Sequence, residues 1–294
     1  MKNRHLIFLI VLLFNSYAYS QVYVFLVCGS RGENAVKTNG EWKLLKTRST
    51  IDGFEQIKTS GDHCYLGLLH TSGRSITIRN AGNFSAADLL KKINTGNTVV
   101  ATKYADFVYT KMTTAEREPE DIKQRSTNND VIKVFLPSTG EFVGSDEIIR
   151  WTPVQGVNKY RIIVKDIVDD LLTEYTSDSS FSKINFNDEK LKDQKTLLLS
   201  VELINNPSVH SETYAIIRLE DEKAKNISNA FSQIKMDVGE ESSLNYLIFA
   251  SFFEENNLLI DAATCYQYAI DLSPEIPDFQ TIYHQFLFRN GLMQ

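Results

Sequence analysis

The chain has 294 residues, 43% of them hydrophobic and 23% charged, with a formal net charge of -6. That composition belongs to a folded protein rather than a disordered one, and the length suits two or three small domains. The acidic balance, with Lys and Arg scattered along the chain, excludes a protein whose main task is gripping phosphate backbones, so no nucleic acid partner is expected.

The first twenty residues stand apart. Lys2, Arg4 and His5 precede the apolar run Leu6 to Phe14, and Asn15 to Ser20 are more polar, with the small residues Ala18 and Ser20 near the end. This three-part order predicts a secretory signal peptide over residues 1–20 and a mature chain beginning at Gln21. The apolar run is short for a bilayer-spanning helix, and no later segment reaches 18 apolar residues, so the mature chain is expected not to span a membrane. The expected location is outside the cytoplasm, periplasmic or envelope-associated.

Residues 21–112 predict a small β-domain with a helical extension. Tyr23 to Val27, Trp42 to Leu45, Gln56 to Thr59, Cys64 to Leu69 and Ser75 to Arg79 are short β-branched or aromatic runs. They are separated by turn signals at Asn39-Gly40, Asp52-Gly53, Ser60-Gly61, Ser72-Gly73 and Ala81-Gly82. The period then changes: Ser85 is placed to cap a helix carrying Ala86, Leu89, Leu90 and Ile93, and a second helix is expected over Val99 to Met112. Residues 113–130 are almost devoid of apolar side chains and predict a flexible linker.

Residues 131–220 return to strands, at Val131 to Leu136, Ile148 to Trp151, Tyr160 to Val164, Leu171 to Tyr175, Thr196 to Leu203 and Tyr214 to Leu219. Short strands at this spacing predict a β-sandwich. Residues 221–294 predict four helices, at Ala224 to Ile234, Ser242 to Glu255, Asp261 to Leu272 and Pro277 to Arg289. The last has Pro at its start and Asn290-Gly291 at its end. The expected fold class is therefore multidomain α+β: a small all-β barrel-like domain with a helical extension, an immunoglobulin-like β-sandwich and a C-terminal helical hairpin bundle.

Catalytic and metal patterns are sparse. His63, His70, His210 and His284 show no zinc-ligand spacing. Asp62-His63-Cys64 with His70 raises a thiol-nucleophile reading, set against Cys64 opening an apolar strand. Cys28-Gly29-Ser30-Arg31-Gly32 follows a strand but lacks the helix that phosphate binding needs, and reads as a turn. Asp166, Asp169 and Asp170 form an acidic turn for which calcium is the candidate ion. Cys28 and Cys64 fall in one expected domain and could pair in an exported protein, leaving Cys265 alone; three cysteines are too few for a disulfide framework, and buried thiols are the favoured expectation. No catalytic residue, cofactor or metal is expected, and the chain is not expected to be an enzyme.

Three stretches resemble known modules. Tyr246, Phe249-Ala250, Phe253, Ala262, Tyr266, Ala269 and Pro274 resemble a tetratricopeptide repeat, with Ala250 where Gly is usual; small residues let paired helices approach and aromatics fill the groove. Ile149 to Val154, Gly156 and Tyr160 to Val164 are similar to a fibronectin type III sandwich. In that family the Trp and Tyr are core residues, which Trp151 and Tyr160 would be here. Val36, Trp42, Leu44-Leu45, Ile57 to Thr59, Tyr65 to Leu68 and Gly73 to Thr77, mainly as turn and core positions, are similar to the small periplasmic domain of FecR-type proteins. These resemblances imply an exported, non-enzymatic scaffold or protein-binding protein of the cell envelope. The alternative is an envelope sensor, regulator or glycan-binding protein acting through the N-terminal β-domain. The positions outside the repeat signature, Asn245, Phe252, Gln267 and Tyr268, are expected to face outward and contact a protein partner.

Overall fold

The computed structural model describes residues 23–93, 99–114, 131–157, 159–239 and 241–293. The expected signal peptide and most of the expected linker lie outside these residues. The chain is α+β, with mainly antiparallel sheets in its N-terminal and middle parts, where one pair of strands is parallel, and a helical bundle at its end.

The N-terminal part has eight strands: β1 Phe25–Arg31, β2 Ala35–Thr38, β3 Glu41–Leu44, β4 Thr50–Ile51, β5 Gln56–Thr59, β6 Tyr65–His70, β7 Ser75–Ile78 and β8 Gly82–Ser85. They form two four-stranded sheets, β4-β1-β6-β7 and β3-β2-β5-β8. Phe25, Val27, Leu66 and Leu68 of the first sheet meet Val36 and Ile57 of the second in one core. Their neighbours Leu26, Cys28, Tyr65 and Leu69 point the other way, into a second core shared with helices. Successive strand side chains alternate between faces, so a strand covered on both sides needs apolar residues at every position. That is why Phe25 to Cys28 is an unbroken apolar run.

The segment Cys28 to Arg31, expected as a turn, is strand instead. β1 runs through it with a bulge between Val27 and Gly29. A Cβ on Gly29 would sit 2.9 Å from Ile276 and 3.2 Å from the Tyr65 ring, so glycine is needed there for close approach. The expected turn at Asn39-Gly40 is present, with both residues in the left-handed region, at φ 53° and 90°. That two-residue connection matches the twist of a β-hairpin. Two short helices follow the strands, α1 Ala86–Lys92 and α2 Val99–Thr114. Ser85 stands at the start of α1, but its side chain makes no capping bond.

The middle part has β9 Thr139–Phe142, β10 Asp146–Arg150, β11 Tyr160–Lys165, β12 Leu171–Ser177, β13 Phe181–Asn185, β14 Thr196–Leu203, β15 Asn206–His210 and β16 Tyr214–Arg218. One sheet runs β12-β11-β14-β16-β9 with β15 alongside β14, and a two-stranded sheet β10-β13 faces it. Ile149 and Ile184 of the small sheet close over Ile162, Val164, Leu197 and Leu199 of the large one. Trp151 and Tyr160 are core residues with ring centroids 5.3 Å apart. Val131 to Leu136, expected as a strand, makes a single bridge from Val134 to Trp151, although Ile132, Val134 and Leu136 are all buried. Pro137, which has no N–H to give, follows directly.

Four helices close the chain: α3 Asp221–Val238, α4 Ser243–Glu255, α5 Leu259–Leu272 and α6 Pro277–Arg289. Ser242 caps α4, its hydroxyl accepting from the Asn245 N–H at 3.1 Å. Pro277 opens α6, and Gly291 beyond its end is left-handed, at φ 68°. Ala250, Ala262 and Ala269 are fully buried in this bundle, which lets α4 and α5 approach closely. The bundle lies between the two β-parts. α4 and α6 pack on β6 and β1, α2 packs on α4, and α5 packs on β9 and β10. Among the described residues no helix is long and apolar enough to cross a membrane.

Candidate functional site

The outward face expected on the helical hairpin is an inward one. Asn245 is 2% exposed; its Oδ1 accepts from Ser75 Oγ at 2.7 Å and its Nδ2 donates to Val238 O, which ties α4 to β7. Phe252, also 2% exposed, stacks on Phe231 and meets the Tyr104 edge, joining α4 to α3 and α2. Gln267 is buried between Arg150, which donates to its Oε1, and Asp271, which accepts from its Nε2 at 2.6 Å. Tyr268 is half-buried beside Tyr246, with the Lys183 ammonium 5.7 Å from its ring centre. The expectation that these four face outward is therefore corrected for Asn245, Phe252 and Gln267. For Asn245 and Phe252 the physical reason is in the sequence of α4: Leu244 to Phe253 is apolar around its whole circumference apart from Asn245 and Ser251, and such a helix buries every face; Gln267 belongs to α5 and is covered because that helix packs on β10.

The joint between α5 and the sandwich holds two buried carboxyls. Asp261 accepts from the Gly144 N–H at 2.7 Å and from the Val143 N–H at 3.2 Å. The Thr264 hydroxyl accepts from the Ile148 N–H at 2.9 Å and donates to Glu147 Oε2 at 2.6 Å. Burial pushes the Glu147 carboxyl well above its usual range, and the facing Asp261 adds to it. Burial also raises Asp261 to about 6, held back by the Gly144 and Val143 N–H groups. Two carboxyls this close share a proton. The backbone donors at Asp261 favour its ionised form over that of Glu147, which has none, so the shared proton is favoured on Glu147. The pair is enclosed, and its hydrogen bonds join α5 to the sandwich.

The thiol reading separates in space. Cys64 is 3% exposed, under the Gly32 turn, while His70 lies at the far end of β6. Six strand residues put them about 20 Å apart. The His70 ring bonds to Ser72 Oγ at 2.7 Å, and burial lowers its pKa. Cys28, Cys64 and Cys265 are all free and buried. At the acidic turn, Asp166 accepts from the Val168 and Asp170 N–H groups and Lys165 pairs with Asp169 at 2.9 Å. That is the bonding of a hairpin turn, and among the described residues no group of three or more His, Cys, Asp or Glu is placed to hold a metal.

An open cleft of about 500 Å³ lies where the N-terminal sheets meet α6 and the end of α2. Leu45, Met112 and Ile282 supply its apolar lining, and Lys46 and Arg48 its cationic one. Asp278 reaches in from α6. Burial raises its pKa, opposed by hydrogen bonds from the Thr47 hydroxyl and the Ser30 N–H and by the nearby Arg48 charge. Leu44, at the mouth, belongs to β3, whose four residues are all exposed. Trp42 and Leu44, expected at turn or core positions, are exposed instead, and only Leu45 enters the core. The alternation Trp42, Lys43, Leu44 marks a strand with two faces, but it cannot say that both faces meet solvent. That follows from β3 being the edge of its sheet.

No protein-family model matches the chain, and comparison with curated proteins gives no match.

Proposed function

We propose that the protein is an exported, non-enzymatic scaffold of the cell envelope that holds a protein partner at the cleft between the N-terminal sheets and α6. The observation that supports this reading is the contrast between the two candidate surfaces. The face of the helical hairpin is occupied by the chain's own β-parts, whereas the cleft is open, partly apolar and rimmed with cations on a chain of net charge -6. Open concave sites with apolar walls and a few placed charges are the usual binding surfaces of proteins. The resemblances to FecR-type, fibronectin type III and tetratricopeptide modules agree with a binding role. Within it the helices serve as the hub that builds the cleft, and the N-terminal part carries recognition, as a sensor or regulator would.

The test is photocrosslinking in the protein's own cells, from the full chain with a photoreactive residue at Leu44 or, as control, at Ile167 on the exposed β11–β12 turn. A discrete adduct from Leu44 that disappears in K46E/R48E is the expected result. Adducts from Ile167 alone, or none from Leu44, would overturn the reading. N-terminal sequencing of the exported fraction should begin at Gln21.

A further inference from the structure

Resting on that reading, we propose that the partner enters as an extended acidic peptide segment that adds to β3 as a fifth strand of its sheet. The main-chain geometry is the first ground. Next to a two-residue hairpin turn the flanking residues exchange both hydrogen bonds, and bonded pairs alternate from there. Thr38–Glu41 and Val36–Lys43 are therefore bonded pairs, and Trp42 and Leu44 turn their N–H and C=O groups away from β2. The Leu45 N–H to Asn34 O bond of 2.8 Å keeps the same alternation. Among the described residues no strand lies beyond β3. Row and side chains coincide: the two residues with outward main-chain groups are also the exposed apolar ones, Trp42 at 47% and Leu44 at 68%. Edge strands of natural proteins are often short and charged, as β3 is with Glu41 and Lys43, but here the outward main-chain groups belong to the Trp and the Leu, and such a row can take an added strand.

Charge selects the occupant. Residues 31–48 carry Arg31, Lys37, Lys43, Lys46 and Arg48 against Glu33 and Glu41 on a chain that is acidic overall. Lys37 lies over the Trp42 ring at 6.0 Å, and neither it, Lys43 nor Lys46 is in a salt bridge with a described residue. Side chains of an added strand alternate between faces. Apolar ones on one face meet Trp42 and Leu44; acidic ones on the other meet Lys43, and those at the cleft end meet Lys46 and Arg48. The recognised segment is thus one that alternates apolar and acidic residues.

The probe is a labelled eight-residue peptide alternating Glu and Val, titrated into the full mature chain by fluorescence anisotropy, with amide exchange at Trp42 and Leu44 followed by NMR. Controls are the Lys–Val peptide and a Glu–Val peptide N-methylated at alternate residues, made in both registers. The expected results are at least tenfold slower exchange at both amides, at least tenfold weaker binding in one N-methylated register, and equal weakening in K46E/R48E. Leu44→Pro removes only an N–H that β2 does not use, a change edge strands tolerate. It should lose binding that Leu44→Ala, which keeps the N–H, retains in part, with thermal melts confirming that both fold. Equal binding of the Lys–Val peptide, equal affinities of L44P and L44A, or unprotected amides would overturn the proposal. So would a dimer of the chain that dissociates in L44P, which would make a second copy the occupant. A Leu44 cross-link in cells without amide protection would sink strand addition alone; absence of the cross-link would sink the reading beneath it.

Discussion

At the scale of single residues, the Glu147–Asp261 pair has a measurable sign. Both carboxyls are raised in the folded chain above their ordinary values, Asp261 to about 6 and Glu147 further in the same direction. A raised folded pKa means the folded chain binds more protons than the unfolded one through that range. The stabilising contribution is complete below the unfolded values near pH 4 and is lost as pH rises through 6. The other groups facing the pair, Asp146 and the Cys265 thiol, carry no positive charge that would offset it. Glu147→Gln keeps a donor for Asp261 and an acceptor for Thr264 without a proton to lose. It should match the wild type at pH 4.5 and exceed it at pH 8 by on the order of 1 kcal/mol, read as melting temperature against pH. Asp261→Asn, by contrast, puts a weaker acceptor before two backbone N–H groups and should cost about 1–3 kcal/mol at pH 4.5, a cost that shrinks at pH 8 because Asn has no proton to lose where Asp261 does. Gly144 makes the approach possible: a Cβ there would collide with Glu147 Oε1.

At the scale of elements, the two tryptophans make a matched pair. Trp151 is 1% exposed and packs on Tyr160, while Trp42 stands on an open edge. Trp151→Ala should cost about 3–5 kcal/mol, the usual range for emptying a large aromatic site; Trp42→Ala should stay within about 0.5 kcal/mol. Urea titration of both variants separates them, and a comparable loss at Trp42 would place its ring in a core. Their roles differ in legibility. Trp151 could be placed from its apolar neighbours Ile148 and Ile149 and from the alternating strand Tyr160 to Val164 that follows, on whose Tyr160 it packs. Trp42 could not, because an edge is defined by a missing neighbour, and no residue of its own strand records that. The hairpin of α4 and α5 shows the same limit. Ala250, Ala262 and Ala269 announce that two helices cross closely, yet whether the outer faces meet water or other domains depends on strands far away in the chain. The all-round apolarity of α4 carries that signal for Asn245 and Phe252; nothing in the sequence of α5 carries it for Gln267. The strands Ala35–Thr38, Gly82–Ser85, Thr139–Phe142 and Phe181–Asn185 carry little strand signal of their own because they are short and rich in polar residues; sheet pairing, more than their own apolarity, fixes them.

At the scale of the molecule, the cores are unequal in independence. The sandwich closes over its own residues from Ile132 to Ile216, and among the described residues Ile260 is the single apolar one that the helices add to that core. The N-terminal part has one core of its own and shares a second, in which Leu26, Cys28, Tyr65 and Leu69 lie with α2 and all four C-terminal helices. Residues 131–220 alone should therefore unfold cooperatively in urea, whereas residues 21–114 alone should expose that apolar face and self-associate; sedimentation of the two fragments tests this, and a monomeric, cooperative 21–114 would contradict it.

The shared core also imposes an order in time. Leu26 and Cys28 must wait for Phe279 and Phe286, about 250 residues later, to leave the ribosome. At roughly 5–20 residues per second that interval is on the order of 10–50 s, during which the first sheet has only one of its two faces satisfied. Such a chain cannot complete itself from its N-terminus as it is made. The sandwich can close as it is made, but the N-terminal part cannot be completed until the C-terminal helices arrive.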